Sequence, residues 1–190
     1  MRFSRVFRWV LRIFLLVLTL SLTGVSVLGS ISAMNILSNP DNIRVPSGPI
    51  SANLDISDVN TMSIQVPFNV SNVGFFYLTN LRIEFTINMI YDHVNLTGTG
   101  ENITTNTMVF NKATTFPSVP SGQTYNGLFN AAGGDGFLPA NFPNGTTEID
   151  WNRSPHVLEF YADFTISASY SLDLISFSVD LYNISVGNYP

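Results

Sequence analysis

The chain has 190 residues, of which 45% are hydrophobic, 11% are charged and none is cysteine. Small exported modules depend on disulfides, so a domain without cysteine has to be held together by a hydrophobic core of its own. After Asn39 there are 13 acidic residues and only four basic ones, a net charge of −9, which argues against nucleic acid or an anionic membrane surface as a partner.

The amino terminus combines a basic start with a long uncharged run. Its charged residues before Asp41 are four arginines, at positions 2, 5, 8 and 12. A bilayer core takes about 20 predominantly apolar helical residues, and basic residues stay on the cytoplasmic side. We therefore predict a cytoplasmic basic tail over residues 1–12 and a transmembrane helix over residues 13–35 that contacts the lipid bilayer. The protein would be a single-pass cell-membrane protein with its remaining residues extracellular.

A cleaved signal peptide is the alternative for this segment, because small residues occur at Ser30, Ser32 and Ala33. The length of the uncharged run and the lack of an Ala-x-Ala tripeptide favour a retained anchor, although Ser30-Ile31-Ser32 would be a passable site. Small residues also recur four apart, at Ser26 and Ser30 and at Gly29 and Ala33. That spacing lets helices pack closely in lipid.

A turn-rich segment follows the predicted helix. Asn39-Pro40-Asp41-Asn42 and Pro46-Ser47-Gly48-Pro49 interrupt helix and strand alike. We therefore assign residues 36–49 to a linker and residues 50–190 to one exported domain.

Beyond residue 60, apolar and polar residues alternate, which is the pattern of strands with one buried face. The clearest runs are 62–70, 81–89, 158–170 and 175–181, with a weaker one at 103–110. Turn residues at 95–100 and 171–173 predict two hairpins. Pro67 suggests an edge or a bulge, and residues 125–132 are the one place where a short helix is considered. The pattern predicts an all-β, antiparallel sandwich.

The same alternation predicts which side chains of two strands face the core. The six inward positions are Ile64, Val66, Phe68, Ile83, Phe85 and Ile87. Arg82 and Glu84 should face solvent.

The segment from residue 130 to residue 151 is long for a loop in a compact domain, and such loops are commonly functional or mobile. It carries four large apolar side chains, Phe137, Leu138, Phe142 and Trp151. Two interpretations stay open. These side chains either pack beneath the loop as a small satellite cluster or form a contact surface for another subunit.

Residues 50–89 contain an order of features that is seen in a known module. Leu54-Asp55-Ile56 ends a short strand, residues 64–72 alternate, and Phe76-Tyr77-Leu78 begins the next run. This resembles the WHy domain, the water-stress and hypersensitive-response module of late-embryogenesis-abundant type-2 proteins. The usual Asn-Pro-Asn turn is replaced here by Asn72-Val73-Gly74. The resemblance implies an immunoglobulin-like β-sandwich, often behind a single N-terminal membrane helix, with no catalytic residues to carry over.

The titratable residues show no spacing typical of catalysis or metal binding. His93 and His156 have no partner at metal-ligand spacing, and no nucleophile elbow, phosphate loop or dinucleotide fingerprint is present. Asp135, Glu148 and Asp150 could share a calcium ion by chemistry, but their spacing fits no known loop. We expect no catalytic residue, no metal site, no cofactor and no small-molecule substrate.

Two groups of residues are candidates for surface roles. Six Asn-x-Ser/Thr sequons provide possible glycosylation sites, or simply reflect richness in these residues: Asn69, Asn95, Asn102, Asn144, Asn152 and Asn183. Five aromatic residues are candidates for exposed contacts with a neighbouring molecule: Phe75, Phe76, Tyr77, Phe137 and Phe142.

Together these features favour a non-catalytic, membrane-anchored extracellular module with a binding, protective or scaffolding role at the cell surface. The alternative is a structural subunit of a cell-surface filament, sheath or envelope assembly. Its partners would be further copies of itself or other cell-surface proteins.

Overall fold

The protein consists of one long helix followed by two antiparallel β-sheets. The computed structural model describes residues 3–55, 58–94, 102–143, 158–170 and 173–189. Helix α1 spans Phe3–Leu37. In the described part of the chain the strands are β1 (Ile43–Arg44), β2 (Ser51–Asn53), β3 (Ser63–Ser71), β4 (Thr79–Val94), β5 (Asn102–Thr115), β6 (Thr124–Ala132), β7 (Leu158–Tyr170) and β8 (Ile175–Tyr189).

Helix α1 extends beyond the predicted span of residues 13–35 at both ends. No proline interrupts the sequence between its ends, so the backbone hydrogen bonds continue without a break. The segment Val6–Leu37 is long and apolar enough to cross a membrane, a property that signal sequences and core helices share. None of the residues in the most apolar stretch of this segment is buried against the rest of the protein.

The strands form two four-stranded sheets. In the first sheet β3 is central: β6 pairs along one edge, and β1 and β2 share the other. The second sheet has the order β5-β4-β7-β8. The two predicted hairpins are confirmed as the antiparallel pairs β4–β5 and β7–β8.

Phenylalanine rings join the two sheets at the centre of the core. The ring of Phe85 on β4 stacks on Phe164 of β7, with 4.4 Å between their centroids. Across the sandwich it meets Phe129 of β6 edge to face at 5.5 Å. Such pairs add stabilisation beyond the area that they bury. The all-β sandwich prediction is therefore confirmed at the level of two packed antiparallel sheets.

The predicted register is also confirmed. All six predicted inward side chains are buried, at 0–1% exposure. The side chains of Arg82 and Glu84 lie on the opposite face, 53% and 40% exposed.

The short helix considered at residues 125–132 is wrong, because this segment is strand β6, paired along the whole of β3. Its inward positions include Gly127 and Ala131, which make the alternation hard to recognise by hydrophobicity. Gly127 has a steric role. A Cβ there would overlap the ring of Phe68, so the large ring on β3 requires a residue without a side chain at this position of β6.

Pro67 lies inside the first sheet and not on an outer strand. Its carbonyl accepts a hydrogen bond from the amide of Ser47. The N–H and C=O of one strand residue point to the same side, so the position where Pro67 lacks a hydrogen faces away from β6. It faces the gap between β1, which pairs with residues 69–70, and β2, which pairs with residues 63–65.

The segment assigned to a linker, residues 36–49, packs onto the domain. Ile36 still belongs to α1 and is 1% exposed. Asn42 is buried, and β1 adds to the edge of β3. Helix and sandwich are therefore joined without a free-standing connection over these residues.

Replacing Phe85 with Ala should lower the free energy of unfolding by about 3–5 kcal/mol, because the change removes burial and leaves a cavity among three packed rings. Thermal unfolding of the full chain in detergent, followed by circular dichroism, provides the measurement. Arg82→Ala on the same strand is the control and should change stability by less than about 0.5 kcal/mol. Equal effects of the two variants would contradict the register.

Candidate functional site

The titratable side chains of the described residues are dispersed. No group of three or more His, Asp or Glu suited to a metal ion occurs among them. The Nε2 atom of His93 lies 2.9 Å from the hydroxyl of Thr105 on the neighbouring strand. Asp135 pairs with Lys112, while Glu148, Asp150 and His156 lie outside the described residues. Two of the three residues of the calcium hypothesis, Glu148 and Asp150, are therefore outside the described part of the chain, and the hypothesis is not tested.

The sequons fall in different environments. Asn69 on β3 is half-buried, and its Oδ1 is enclosed without a hydrogen-bond partner among the described residues. Asn183 is exposed on β8, where it adopts a left-handed conformation (φ 58°) and its amide donates to the carboxylate of Asp163. Asn102 begins β5, and Asn95, Asn144 and Asn152 lie outside the described residues. Asn183 is thus the sequon whose described surroundings leave room for a glycan.

The aromatic candidates separate into two groups. Phe137 is only 4% exposed, and its ring meets Phe110 edge to face at 4.8 Å. Phe142 is half-buried and packs against the core. The expectation that these two side chains are exposed is wrong for Phe137, because the chain pairs there with Phe110 in a short β-bridge. Trp151 lies outside the described residues.

The second aromatic group lies on the segment between β3 and β4, residues 72–78, which we call the crossing loop because it passes from one sheet to the other. Phe75 and Tyr77 are 58% and 60% exposed, and Val73 is also exposed. Phe76 points the other way and packs against the core. The loop therefore presents an apolar surface at the end of the sandwich that meets α1.

A buried asparagine organises the crossing loop. The side-chain amide of Asn72 donates to the carbonyls of Phe76 and Val119 at 2.8 and 2.7 Å. Its Oδ1 accepts from the amide of Gly74 at 3.0 Å and from the hydroxyl of Tyr170 at 2.6 Å. All the hydrogen-bonding capacity of this carboxamide is used, which is what a polar side chain needs when it is only 1% exposed.

Tyr170 connects this network to the end of β7. It is fully buried, and burial raises its pKa to about 12. The side chain therefore remains a neutral donor to Asn72 across the physiological range.

Helix α1 packs against the crossing loop through small residues. The amide of Phe75 donates to the hydroxyl of Ser32 at 2.9 Å, and that hydroxyl donates in turn to the carbonyl of Leu28. A Cβ on Gly74 would lie 2.7 Å from the Cβ of Ser32 and 2.9 Å from the ring of Tyr170. Glycine at position 74 is what allows the helix to approach this closely.

The carboxyl end of α1 is closed by a side chain from the following turn. The side-chain nitrogen Nδ2 of Asn42 donates to the carbonyls of Asn35 and Ile36, which have no partner within the helix. The buried residues of this part of the helix are Gly29, Ser32, Ala33 and Ile36. Their spacing is that of one helical face, so a stripe of small residues ending in isoleucine is the sequence signal for this contact.

These residues form a hydrogen-bonded, closely packed contact between the helix and the sandwich, which we call the helix joint (Ser32, Ile36, Asn42, Asn72, Gly74 and Tyr170). Asn72-Val73-Gly74 is recognisable from the sequence only as a turn, and the other members of the joint were not predicted. Chemically the joint positions elements and offers no nucleophile or acid–base pair.

Asn72→Ala should lower the free energy of unfolding by at least about 2 kcal/mol. The buried Tyr170 hydroxyl and Phe76 carbonyl each lose a partner, and a buried polar group left unpaired costs about 1–3 kcal/mol. The matched control is Asn126→Ala on the exposed face of β6, which should cost less than about 0.5 kcal/mol. Thermal unfolding compares the stability of the two variants. An Asn72→Ala variant that is as stable as the unmodified protein would show that these hydrogen bonds do not stabilise the fold.

Gly74→Ala should separate the helix from the loop, at a cost of about 1–3 kcal/mol for overpacking. Hydrogen exchange at the amide of Phe75 should become faster, because its acceptor on Ser32 moves away. Gly24→Ala is the control: an added Cβ there meets nothing within 4 Å, so it should leave exchange at Phe75 unchanged. Slow exchange at Phe75 in both variants would show that the close approach does not matter.

The sequence matches no protein-family model and no curated protein. Among solved structures it is similar to Spo0M, a sporulation control protein from Bacillus subtilis, with a TM-score of 0.36 and 12% sequence identity. The match covers 75% of this chain, which spans about half (48%) of the length of Spo0M. A similarity this low carries no argument about function.

Proposed function

We propose that this protein is a non-catalytic, membrane-anchored extracellular module, in which α1 spans the bilayer and the sandwich has a binding, protective or scaffolding role at the cell surface. The N-terminal arginines would be cytoplasmic, under the positive-inside rule.

The observation that carries this proposal is the contrast between the two ends of one helix. From residue 13 to residue 28 the large apolar side chains of α1 are exposed, apart from the half-buried Val25, whereas Ser32, Ala33 and Ile36 are buried against the sandwich. An apolar surface of this length is normally shielded from water by a partner or by lipid. The hydrocarbon core of a bilayer matches an uncharged helix of about 20 residues.

The helix joint supports retention of the anchor against cleavage as a signal peptide. Cleavage after Ser32 or Ala33 would remove the hydroxyl that accepts from Phe75. It would also leave Ile36, which is buried, on a helical stub without its preceding turns. A segment that the domain uses for its own packing is a poor candidate for removal.

The strand order supports an immunoglobulin-like sandwich. The order β5-β4-β7-β8 follows the C′-C-F-G order of such domains, and β3 between β1/β2 and β6 follows A-B-E. The resemblance of residues 50–89 to the WHy domain agrees with this architecture and with a single membrane helix in front of it.

A structural subunit of a filament, sheath or envelope assembly is the second candidate. The exposed apolar face of α1 favours it, because helices of other copies could cover this face instead of lipid. One small-residue pair is not free for such a contact, since Gly29 and Ala33 face the sandwich. Imaging of the native cell surface separates the candidates: long assemblies would favour the filament, and dispersed molecules the module.

Protease added to intact cells should remove the sandwich and leave a membrane fragment that contains residues 1–31. Leu16→Arg should prevent stable insertion, because a charge at the centre of the helix costs about 2.5–3.5 kcal/mol on insertion scales. Leu16→Ala is the control and should insert normally. Mass spectrometry of the mature protein completes the test, and a chain beginning near residue 33 would refute the anchor.

A further inference from the structure

We propose that the crossing loop, through Val73, Phe75 and Tyr77, inserts into the outer interface of the same bilayer that α1 spans. The inference rests on the proposed membrane anchor and goes beyond it, because it assigns a lipid contact to the folded domain itself.

The depth of the loop follows from the geometry of the helix. Arg12 is the last charged residue before the apolar span and belongs at the cytoplasmic interface. At a rise of 1.5 Å per residue, Ser32 lies about 30 Å further along α1, which equals the thickness of the hydrocarbon core. The amide of Phe75 is bonded to the Ser32 hydroxyl at 2.9 Å, so the loop lies where the hydrocarbon core meets the headgroups.

The helix continues to offer apolar side chains at this level. On the face turned away from the sandwich, Ile31, Met34 and Leu37 are all exposed. Apolar side chains of α1 and of the crossing loop are thus exposed at the same level along the helix axis, on two sides of the contact at Ser32. A lipid interface would cover both at once, whereas water would leave both exposed.

The chemistry of the loop fits an interface. Phe75 and Tyr77 are more than half exposed although large apolar side chains in the sandwich are otherwise mostly buried. Tyrosine is enriched where bilayer and water meet, because its ring is apolar and its hydroxyl can remain hydrated. Trp9 is likewise exposed near the cytoplasmic end of α1, so aromatic side chains would lie at both interfaces.

Charge is absent from the segments that would approach the lipid. No Asp, Glu, Lys, Arg or His occurs between Asp58 and Arg82, or between Lys112 and Asp135. The crossing loop and residues 117–123, which are bonded to it through Asn72 and Gly74, both lie in these intervals. Insertion therefore requires no desolvation of a charged group.

Two charged groups that follow these segments, Asp173 beside the start of β4 and Asp41 after α1, are engaged in local hydrogen bonds. The Asp173 carboxylate accepts from the side chains of Thr79 and Asn80, and Asp41 pairs with Arg44 just beyond the helix. They mark the hydrated side of the interface. The contact is apolar, so it should persist at high salt and on uncharged lipids, in agreement with the acidic character of the domain.

The absence of cysteine allows this to be tested by single-site labelling of the full chain. Cysteine is introduced at Phe75, Tyr77, Leu16 or Tyr182, labelled with a polarity-sensitive fluorophore, and the protein is reconstituted into phosphatidylcholine nanodiscs. Nitroxides attached to lipid near the headgroup or at mid-chain then report depth by quenching. Tyr182 is the matched control, because it is an exposed aromatic residue far from the crossing loop. It lies about 23 Å along β8 from Ile175, the first residue of that strand.

Labels at Phe75 and Tyr77 should show a blue shift and be quenched by the headgroup nitroxide, while the Tyr182 label shows neither. The Leu16 label should be quenched by the mid-chain nitroxide. Quenching at Leu16 without quenching at Phe75 and Tyr77 would overturn the loop contact and leave the anchor standing. No quenching at Leu16 would refute the anchor, and the loop contact with it. A blue shift at Phe75 that grows with protein density, without lipid quenching, would assign the loop to a second copy and overturn the proposal.

Discussion

The side chain of Asn72 is the constraint on which the junction of helix and sheets depends. Four hydrogen bonds from one buried carboxamide fix the crossing loop to the end of β7 and to the segment before β6. The loop in turn supplies the glycine and the amide that receive α1. An aspartate would lose both donors, and an apolar residue would leave the Tyr170 hydroxyl buried without this acceptor. The position therefore tolerates little besides asparagine.

The joint explains why the junction is built from small side chains. Because Gly74 has no side chain, the backbones approach closely enough for the amide of Phe75 to donate to the hydroxyl of Ser32. The side chain of Asn42 donates to the carbonyls at the end of the helix. The same arrangement leaves Phe75 and Tyr77 without cover on the outside of the loop. Tight packing on one side of the crossing loop and exposure on the other are thus two results of one backbone path.

Sequence predicted the strands well where bulky residues alternate, as from Ile83 to Ile87. It failed at β6, where the inward positions Gly127 and Ala131 are small because the ring of Phe68 needs the space. It could not predict the joint, since Asn72 and Tyr170 are 98 positions apart and neither has a local pattern that indicates the other. The stripe of Gly29, Ser32, Ala33 and Ile36 has helical spacing, but large apolar residues also lie on the other faces of this segment, at Leu28, Ile31, Met34 and Leu37, so the stripe does not stand out.

The helix joint also lies at one end of the sandwich, far from the opposite end of β4. β4 begins beside the crossing loop and runs for 16 residues, which spans about 50 Å in extended conformation. If α1, the crossing loop and β4 turned as one body, a rotation of about ten degrees at the helix would displace the far end of β4 by about 9 Å. Such a rotation would therefore have its largest effect at the opposite end of the domain, where β4 ends at Val94 and β5 begins at Asn102.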